Sequence, residues 1–190
     1  MSIEFEALKT STMRGASTFM RPTQSFQEQV SINDPAVLVM TDLSKVSLIV
    51  ARPFASMETA NAKMIRYGVR TLLVLDTNDH VAGILTANDI LGEKPTRFIQ
   101  NMGGTHADIM VRDLMTPQRE LQVMRIQDVR TATVGHIVAT LKKSGKQHGI
   151  VVDENADGTQ AVCGIFSTTQ IARQLGTKVS QLLENITVID

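Results

Sequence analysis

A short motif occurs twice in the chain, and its repetition constrains the fold more than any other feature. Residues 83–90 read GILTANDI, and residues 164–171 read GIFSTTQI. Each copy begins with a glycine and two apolar residues, continues with a hydroxyl residue and small or polar residues, and ends in isoleucine. This pattern is typical of an apolar strand that turns into a helix, where unpaired backbone N–H groups are suited to binding an anion.

The segments that precede the two motifs repeat in the same order. Gly68 and Gly145 are separated by 77 residues, as are Asp76 and Asp153, whereas the motif glycines are 81 residues apart. The second copy therefore carries four extra residues in the turn after Asp153, where an insertion is tolerated. A period of this length, present only twice, predicts duplication of one β-α-β-β-α unit, and the two copies should pack together.

Hydrophobic periodicity and end signals place the elements of each unit. The first unit is predicted to contain helix 36–40, strand 46–51, helix 56–68, strands 72–75 and 81–85, and a helix that breaks near Gly92 and resumes over 96–102. The second is predicted to contain helix 108–115, strand 121–126, helix 133–145, strands 150–152 and 161–166, and helix 171–175. We divide the chain into an N-terminal extension (1–31), a first repeat (32–103), a second repeat (104–176) and a tail (177–190) that packs back on the core.

The composition excludes several classes of protein. The 19 basic and 19 acidic residues balance, so bulk electrostatics give no support for nucleic-acid binding. No apolar run approaches the roughly 20 residues that span a bilayer, and we expect no signal peptide at the acidic N-terminus. The single cysteine, Cys163, excludes an internal disulfide and favours a cytoplasmic protein. The four histidines show no metal-ligand spacing, and no nucleophile or acid/base constellation is present, so we expect neither a metal site nor catalysis.

The repeat, the apolar strands that end in aspartate, and a Met-Thr segment before each unit (Val39–Thr41 and Leu114–Thr116) resemble the cystathionine-β-synthase-type (CBS) domain. The chain looks like a tandem pair of these domains over residues 32–176. The resemblance implies an α/β fold in which two β-α-β-β-α repeats pack as a pseudo-twofold pair, with two clefts between their sheets. It also implies an adenosine-containing regulatory ligand (AMP, ADP, ATP or S-adenosylmethionine) and a homodimer.

By match to the family motif, Thr86 would contact phosphate or ribose, Asp89 would hold the ribose hydroxyls, Ile84 would line the base pocket and Asn88 would lie beside the phosphate. Arg70 would supply a basic phosphate contact. The full set of implied ligand-binding residues comes from both copies: Arg70, Thr71, Ile84, Thr86, Asn88, Asp89, His148 and Ser167. Other interpretations stay open, since Asp89 can serve only as a helix cap, Arg70 as a solvated charge and Asn88 as a turn residue.

The second copy departs from the motif. It has Gln170 in place of Asp89 and Gln147 in place of Arg70, although His148 lies next to Gln147 and could compensate. We therefore expect one competent cleft and one weak or empty one. Two functions remain: a regulatory module that senses an adenosine compound and acts on an unidentified partner protein, or a ligand-free scaffold that keeps the fold for dimerisation.

Overall fold

The computed structural model describes residues 29–186 and Val188, so most of the predicted N-terminal extension lies outside the described residues. Helices and strands are interspersed along the chain. The strands are β1 (Thr41–Asp42), β2 (Val50–Ala51), β3 (Thr71–Leu75), β4 (Val81–Thr86), β5 (Thr116–Pro117), β6 (Val123–Arg125), β7 (His148–Glu154) and β8 (Gln160–Ser167). The α-helices are α1 (Met57–Tyr67), α2 (Ala87–Leu91), α3 (Lys94–Met102), α4 (Val111–Leu114), α5 (Ile126–Thr131), α6 (Val134–Ser144), α7 (Thr168–Gln174) and α8 (Val179–Asn185).

The strands form two four-stranded sheets, one ordered β2-β3-β4-β5 and the other β1-β8-β7-β6. Strands β3 and β4 are antiparallel, as are β7 and β8, and β2 and β6 run parallel to β3 and β7 respectively. The two units therefore repeat the same pairing. This architecture is the predicted α/β pair of repeats.

Each sheet receives one short strand from the segment that precedes the other unit. Strand β1 pairs antiparallel with β8, which sets Asp42 opposite Gly164, and β5 pairs with β4, which sets Pro117 opposite Gly83. The motif glycines are required by this exchange. A Cβ atom at Gly83 would collide with the carbonyl oxygen of Thr116, and one at Gly164 would collide with the side chain of Met40. Each Met-Thr segment therefore packs directly against the motif glycine of the other unit.

Three groups of buried apolar residues hold the fold together. One group lies under each sheet, where α1 covers β3 and β4, and α6 covers β7 and β8. The third lies between the sheets and contains Ile84 from β4 with Ile150 and Val152 from β7. Because this group takes residues from both repeats, neither repeat buries its strands without the other, as the duplication predicted.

The ends of helix α1 follow the sequence signals. Ser56 accepts a hydrogen bond from the backbone N–H of Thr59 at the N-terminus, and Gly68 ends the helix with a φ of 64°. The break after the first motif is also present, since α2 ends at Leu91 and α3 begins at Lys94. Local chemistry fixes these boundaries because caps and left-handed glycines act over one helical turn.

Other predicted elements were wrong in extent. The strand predicted over 46–51 is paired only at Val50–Ala51, and the one predicted over 121–126 stops at Arg125, after which α5 begins. The helix predicted over 108–115 is split into a 3-10 turn, His106–Asp108, and α4, and the one predicted over 36–40 is a 3-10 helix, Ala36–Val39. In each case the apolar residues serve tertiary contacts rather than a single periodic element.

The C-terminal tail forms α8 and packs on the second unit through the buried side chain of Leu182. Within the described residues, no helix has the length and apolar character needed to cross a membrane.

Candidate ligand-binding cleft

A cleft of about 610 Å³ opens between the two units, within the roughly 300–1,000 Å³ typical of small-molecule sites. Its first wall is the end of β4 and the start of α2, and its second is the segment from β6 through the end of α6 to the start of β7. Ile84 and Ile150, both buried, lie at its apolar floor. Five of the eight predicted site residues line it: Ile84, Thr86, Asn88, Asp89 and His148.

Thr86 and Asp89 form a reciprocal hydrogen-bonded box at the start of α2. Asp89 Oδ2 accepts bonds from the backbone N–H and the hydroxyl of Thr86, each 2.7 Å long, and Thr86 Oγ1 accepts from the N–H of Asp89 at 3.3 Å. Asp89 is buried, with 9% of the residue exposed. Asp89 therefore caps the helix, as one of the open interpretations held, and its other oxygen, Oδ1, pairs with Lys94. Its contact with a ligand stays a prediction.

Lys94 is a residue of the cleft that the sequence analysis missed. Its ammonium lies 2.6 Å from Asp89 Oδ1 and donates a 2.8 Å hydrogen bond to the carbonyl oxygen of Leu114. Lysine is a common residue, and its position five residues after Asp89 follows no motif. The break between α2 and α3 is what turns Lys94 back towards the carboxylate, and only that break could have suggested the contact.

The second unit supplies polar groups from the turn between α6 and β7. Asn88 Nδ2 donates a 2.8 Å hydrogen bond to Gln147 Oε1 across the cleft, joining the two units. Burial lowers the pKa of His148, an effect that nearby Arg70 reinforces and Asp89 opposes. His148 is therefore mainly neutral at neutral pH and offers the cleft a hydrogen bond rather than a charge.

Arg70, Thr71 and Ser167 do not line this cleft. Thr71 starts β3 opposite Thr86, just as His148 starts β7 opposite Ser167. The described cleft is formed by the end of β4 and the start of β7. Because the two repeats are equivalent, the corresponding position in the other half of the molecule is formed by the end of β8 and the start of β3. The predicted residues are thus divided between two symmetry-related positions. Arg70 lies beside the start of α2, where its carbonyl oxygen accepts a 2.8 Å hydrogen bond from the N–H of Ala87, and its phosphate contact stays a prediction.

The second motif has a different side-chain arrangement from the first. Gln170 donates to Gln174 and accepts from Arg173 along its own helix, at 3.1 and 2.7 Å. No side chain caps α7, whose first turn follows Ser167. The hydroxyl of Thr71, at the start of β3, is buried without a hydrogen-bond partner among the described residues. These contacts agree with a difference between the two copies, although unequal ligand binding stays a prediction.

The donors and acceptors around the described cleft suit a polar, neutral or weakly anionic molecule with an apolar face. Asp89 and Lys94 neutralise one another, and Glu120 and Lys146 add one charge of each sign to the lining. Among the described residues, no three His, Cys, Asp or Glu side chains are placed to hold a metal ion.

The family and fold comparisons agree with the fold described above. The sequence model of the CBS domain matches residues 39–95. An uncharacterized conserved protein from Pyrococcus horikoshii is 21% identical, with a TM-score of 0.51 over 75% of this chain and 92% of that one. A CBS domain of a bacterial CNNM/CorC family Mg²⁺ transporter, solved with ATP, is 14% identical, with a TM-score of 0.51 over 77% of this chain and 91% of that one.

A third solved structure is a CBS domain pair in complex with methylthioadenosine and S-adenosyl-L-methionine. It is 20% identical, with a TM-score of 0.51 over 77% of this chain and 98% of that one. No protein of curated function is similar in sequence to this chain. The identities are low, so these structures show a shared fold.

Proposed function

We propose that this chain is a tandem CBS-domain protein, a regulatory module whose cleft binds an adenosine-containing ligand and which then acts on a partner protein. The observation that carries the proposal is the convergence of Ile84, Thr86 and Asp89 from one repeat with His148 from the other around one cleft. An apolar floor with a few polar groups at its rim is the usual form of a small-molecule site.

The chemistry of the walls fits the parts of such a ligand. Ile84 and Ile150 offer apolar surface to a base, while Asp89 offers a carboxylate to ribose hydroxyls. Lys94 and Lys146 are the ammonium groups of the lining, and either can pair with a phosphate or a carboxylate. Proteins of the same fold have been solved with ATP, methylthioadenosine and S-adenosyl-L-methionine bound. We propose the same class of ligand here.

We expect AMP, ADP, ATP or S-adenosylmethionine to stabilise the purified, nucleotide-free protein against heat. A ligand present at one hundred times its Kd stabilises the folded state by about 2.7 kcal/mol, because it binds the native chain alone. A thermal-shift series across the four compounds, with the matching guanosine nucleotides as controls, measures this effect. Absence of a shift with every adenosine compound would favour a ligand-free interaction scaffold instead.

We also propose that the module forms a homodimer through the first unit, because no described residue covers its outer helical face. Ile65 on α1 is 74% exposed and Leu91 on α2 is 70% exposed. The equivalent residues of the second unit are Lys142, which donates a hydrogen bond to Ile186 at the end of α8, and Ala172, which is buried in the core beside α8. Helix α8 thus covers on one unit the face that stays open on the other. A second copy is the simplest closed solution for such a face.

The dimer prediction is tested by sedimentation at micromolar concentration. The wild type should sediment as a dimer, and Leu91→Glu should shift it towards the 20.8 kDa monomer, since a charge would be buried in the interface. The control is Leu38→Glu, which adds the same charge at an exposed position of the 3-10 helix Ala36–Val39, on the side of the second unit. A wild-type monomer, or equal dissociation by both substitutions, would contradict an interface at this face.

We further propose a cytoplasmic location, which fits the state of the only cysteine. Cys163 is partly buried and its thiol donates to the carbonyl oxygen of Val151 at 3.6 Å. Burial raises the pKa of this thiol, so it is a poor nucleophile and suits a structural role. Interaction experiments are needed to identify the regulated partner protein.

A further inference from the structure

The carboxylate of Asp89 has little hydrogen-bonding capacity left in this structure. Each carboxylate oxygen accepts two hydrogen bonds in its plane. Both positions on Oδ2 are taken by Thr86, and one position on Oδ1 is taken by the ammonium of Lys94. A ribose that donates from two neighbouring hydroxyls needs two free positions, so one of these partners has to leave.

Lys94 is the partner that can leave at the lower cost. The Thr86 bonds are part of the start of α2, and breaking them would unwind its first turn. The Lys94 side chain is 46% exposed, whereas that of Asp89 is 12% exposed, so water can solvate the ammonium once it is released. Lysine also has a long, flexible stem that reaches several positions from one backbone site.

The contact of Lys94 has a structural consequence because Lys94 is the first residue of α3. Its ammonium joins the start of α3 to Asp89 on α2 and to the carbonyl of Leu114 at the end of α4. Helix α3 lies between Gly92 and the pair Gly103–Gly104, whose φ values of 76° and 89° suit glycine alone. The helix is therefore a short segment bounded by glycines. The ammonium of Lys94 holds its first residue, beside the buried Pro95 and the packed side chains of Phe98 and Ile99.

We propose that Lys94 is the positioning residue that couples the cleft to helix α3: a ligand whose ribose hydroxyls bind Asp89 displaces Lys94, and the N-terminal end of α3 is released. The inference rests on the proposed ligand class and adds the means by which occupancy changes the protein surface. Met102, 74% exposed at the far end of α3, would change position with the helix. A partner protein that binds the surface of α3 could thereby distinguish the occupied cleft from the empty one.

Hydrogen–deuterium exchange with AMP as the probe tests the coupling in the full chain. AMP should protect the amides at the end of β4 and the start of α2, while those of α3 should exchange about tenfold faster, as expected for loss of a hydrogen bond between charged groups. The dideoxyribose analogue of AMP keeps the base and phosphate but lacks the hydroxyls. At saturating concentration it should protect the cleft and leave the exchange of α3 unchanged.

Two variants on the same helix separate this contact from general loosening. Lys94→Met removes the ammonium and should raise α3 exchange about tenfold without ligand, so that AMP adds no further change. Arg97→Met is the matched control, because it breaks the exposed 2.6 Å pair of Arg97 with Glu93 and touches neither the cleft nor Asp89. Exchange in Arg97→Met should respond to AMP as in the wild type.

The outcomes distinguish the two proposals. Cleft protection by AMP with unchanged α3 exchange, an equal response to AMP and its dideoxy analogue, or ligand-free exchange in Lys94→Met equal to wild type would each overturn the coupling and leave the ligand class standing. If AMP produces neither heat in calorimetry nor protection anywhere in the cleft, the AMP assignment fails and ligand control of α3 fails with it.

Discussion

Asp89→Ala is expected to weaken binding of the adenosine-containing ligand about tenfold or more. A hydrogen bond to a charged acceptor contributes about 1.5–3 kcal/mol, and about 1.4 kcal/mol corresponds to a factor of ten in Kd. We take the lower end of this range because the ligand has to displace Lys94, whose 2.6 Å contact with the carboxylate is lost in exchange. The measurement is a calorimetric titration of wild type and variant, with the stoichiometry fitted.

Two further substitutions separate loss of ligand contact from loss of a helix cap and compare the two motifs. Asp108→Ala removes a cap of the same geometry, since Asp108 Oδ2 accepts from the N–H and the hydroxyl of Thr105 at 2.8 Å each, away from the cleft. It should lower the stability slightly, as loss of a helix cap does, and leave the affinity unchanged. Gln170→Ala should weaken binding by at most about 0.5–1.5 kcal/mol, because a neutral amide replaces the carboxylate. Binding lost in Gln170→Ala but kept in Asp89→Ala would assign the working cleft to the other motif, and two equal sites would contradict the asymmetry.

Phe166→Ala is expected to lower the free energy of unfolding by about 3–5 kcal/mol, the range for removing a large buried aromatic side chain. Phe166 is fully buried in β8, within the core of the second unit, and it is the third residue of the second motif. The ring cannot be replaced by water in so apolar a site, so the substitution leaves a cavity. Equilibrium denaturation by urea, with the slope compared between variant and wild type, measures the loss.

The matched control for this loss is Phe54→Ala. Phe54 is 66% exposed, and its ring lies 4.8 Å from the guanidinium of Arg112. Loss of such a surface contact costs about 0.5–1 kcal/mol. Similar losses in the two variants would mean that the second unit does not form the tightly packed core described here.

The predicted contribution of the first motif to the cleft was largely local, and this explains why sequence reasoning located it. Ile84, Thr86, Asn88 and Asp89 lie within one strand-to-helix turn, so the identity of the residues and their order fix which of them share the cleft. The ends of α1 at Ser56 and Gly68 were predictable for the same reason. A cap or a left-handed glycine depends on its own backbone and on few neighbours.

Contacts between residues that are far apart in the sequence could not be predicted from the motif. The placement of His148 in the same cleft as Asp89 joins residues of different repeats. The Asn88–Gln147 hydrogen bond joins residues 59 positions apart, and each sheet takes a short strand from the segment before the other unit. Such pairings depend on the packing of whole units, which periodicity does not encode.

The sequence by itself determined the duplication, the α/β class and the identity of the first motif, because repeated spacing and short-range chemistry carry that information. Only the tertiary structure decided that Lys94 meets Asp89, that α8 covers one outer face and leaves Leu91 exposed on the other, and that the predicted site residues fall into two groups. The physical reason is that burial and ion pairing depend on which surfaces meet in space, and two repeats with the same local pattern can meet their surroundings differently.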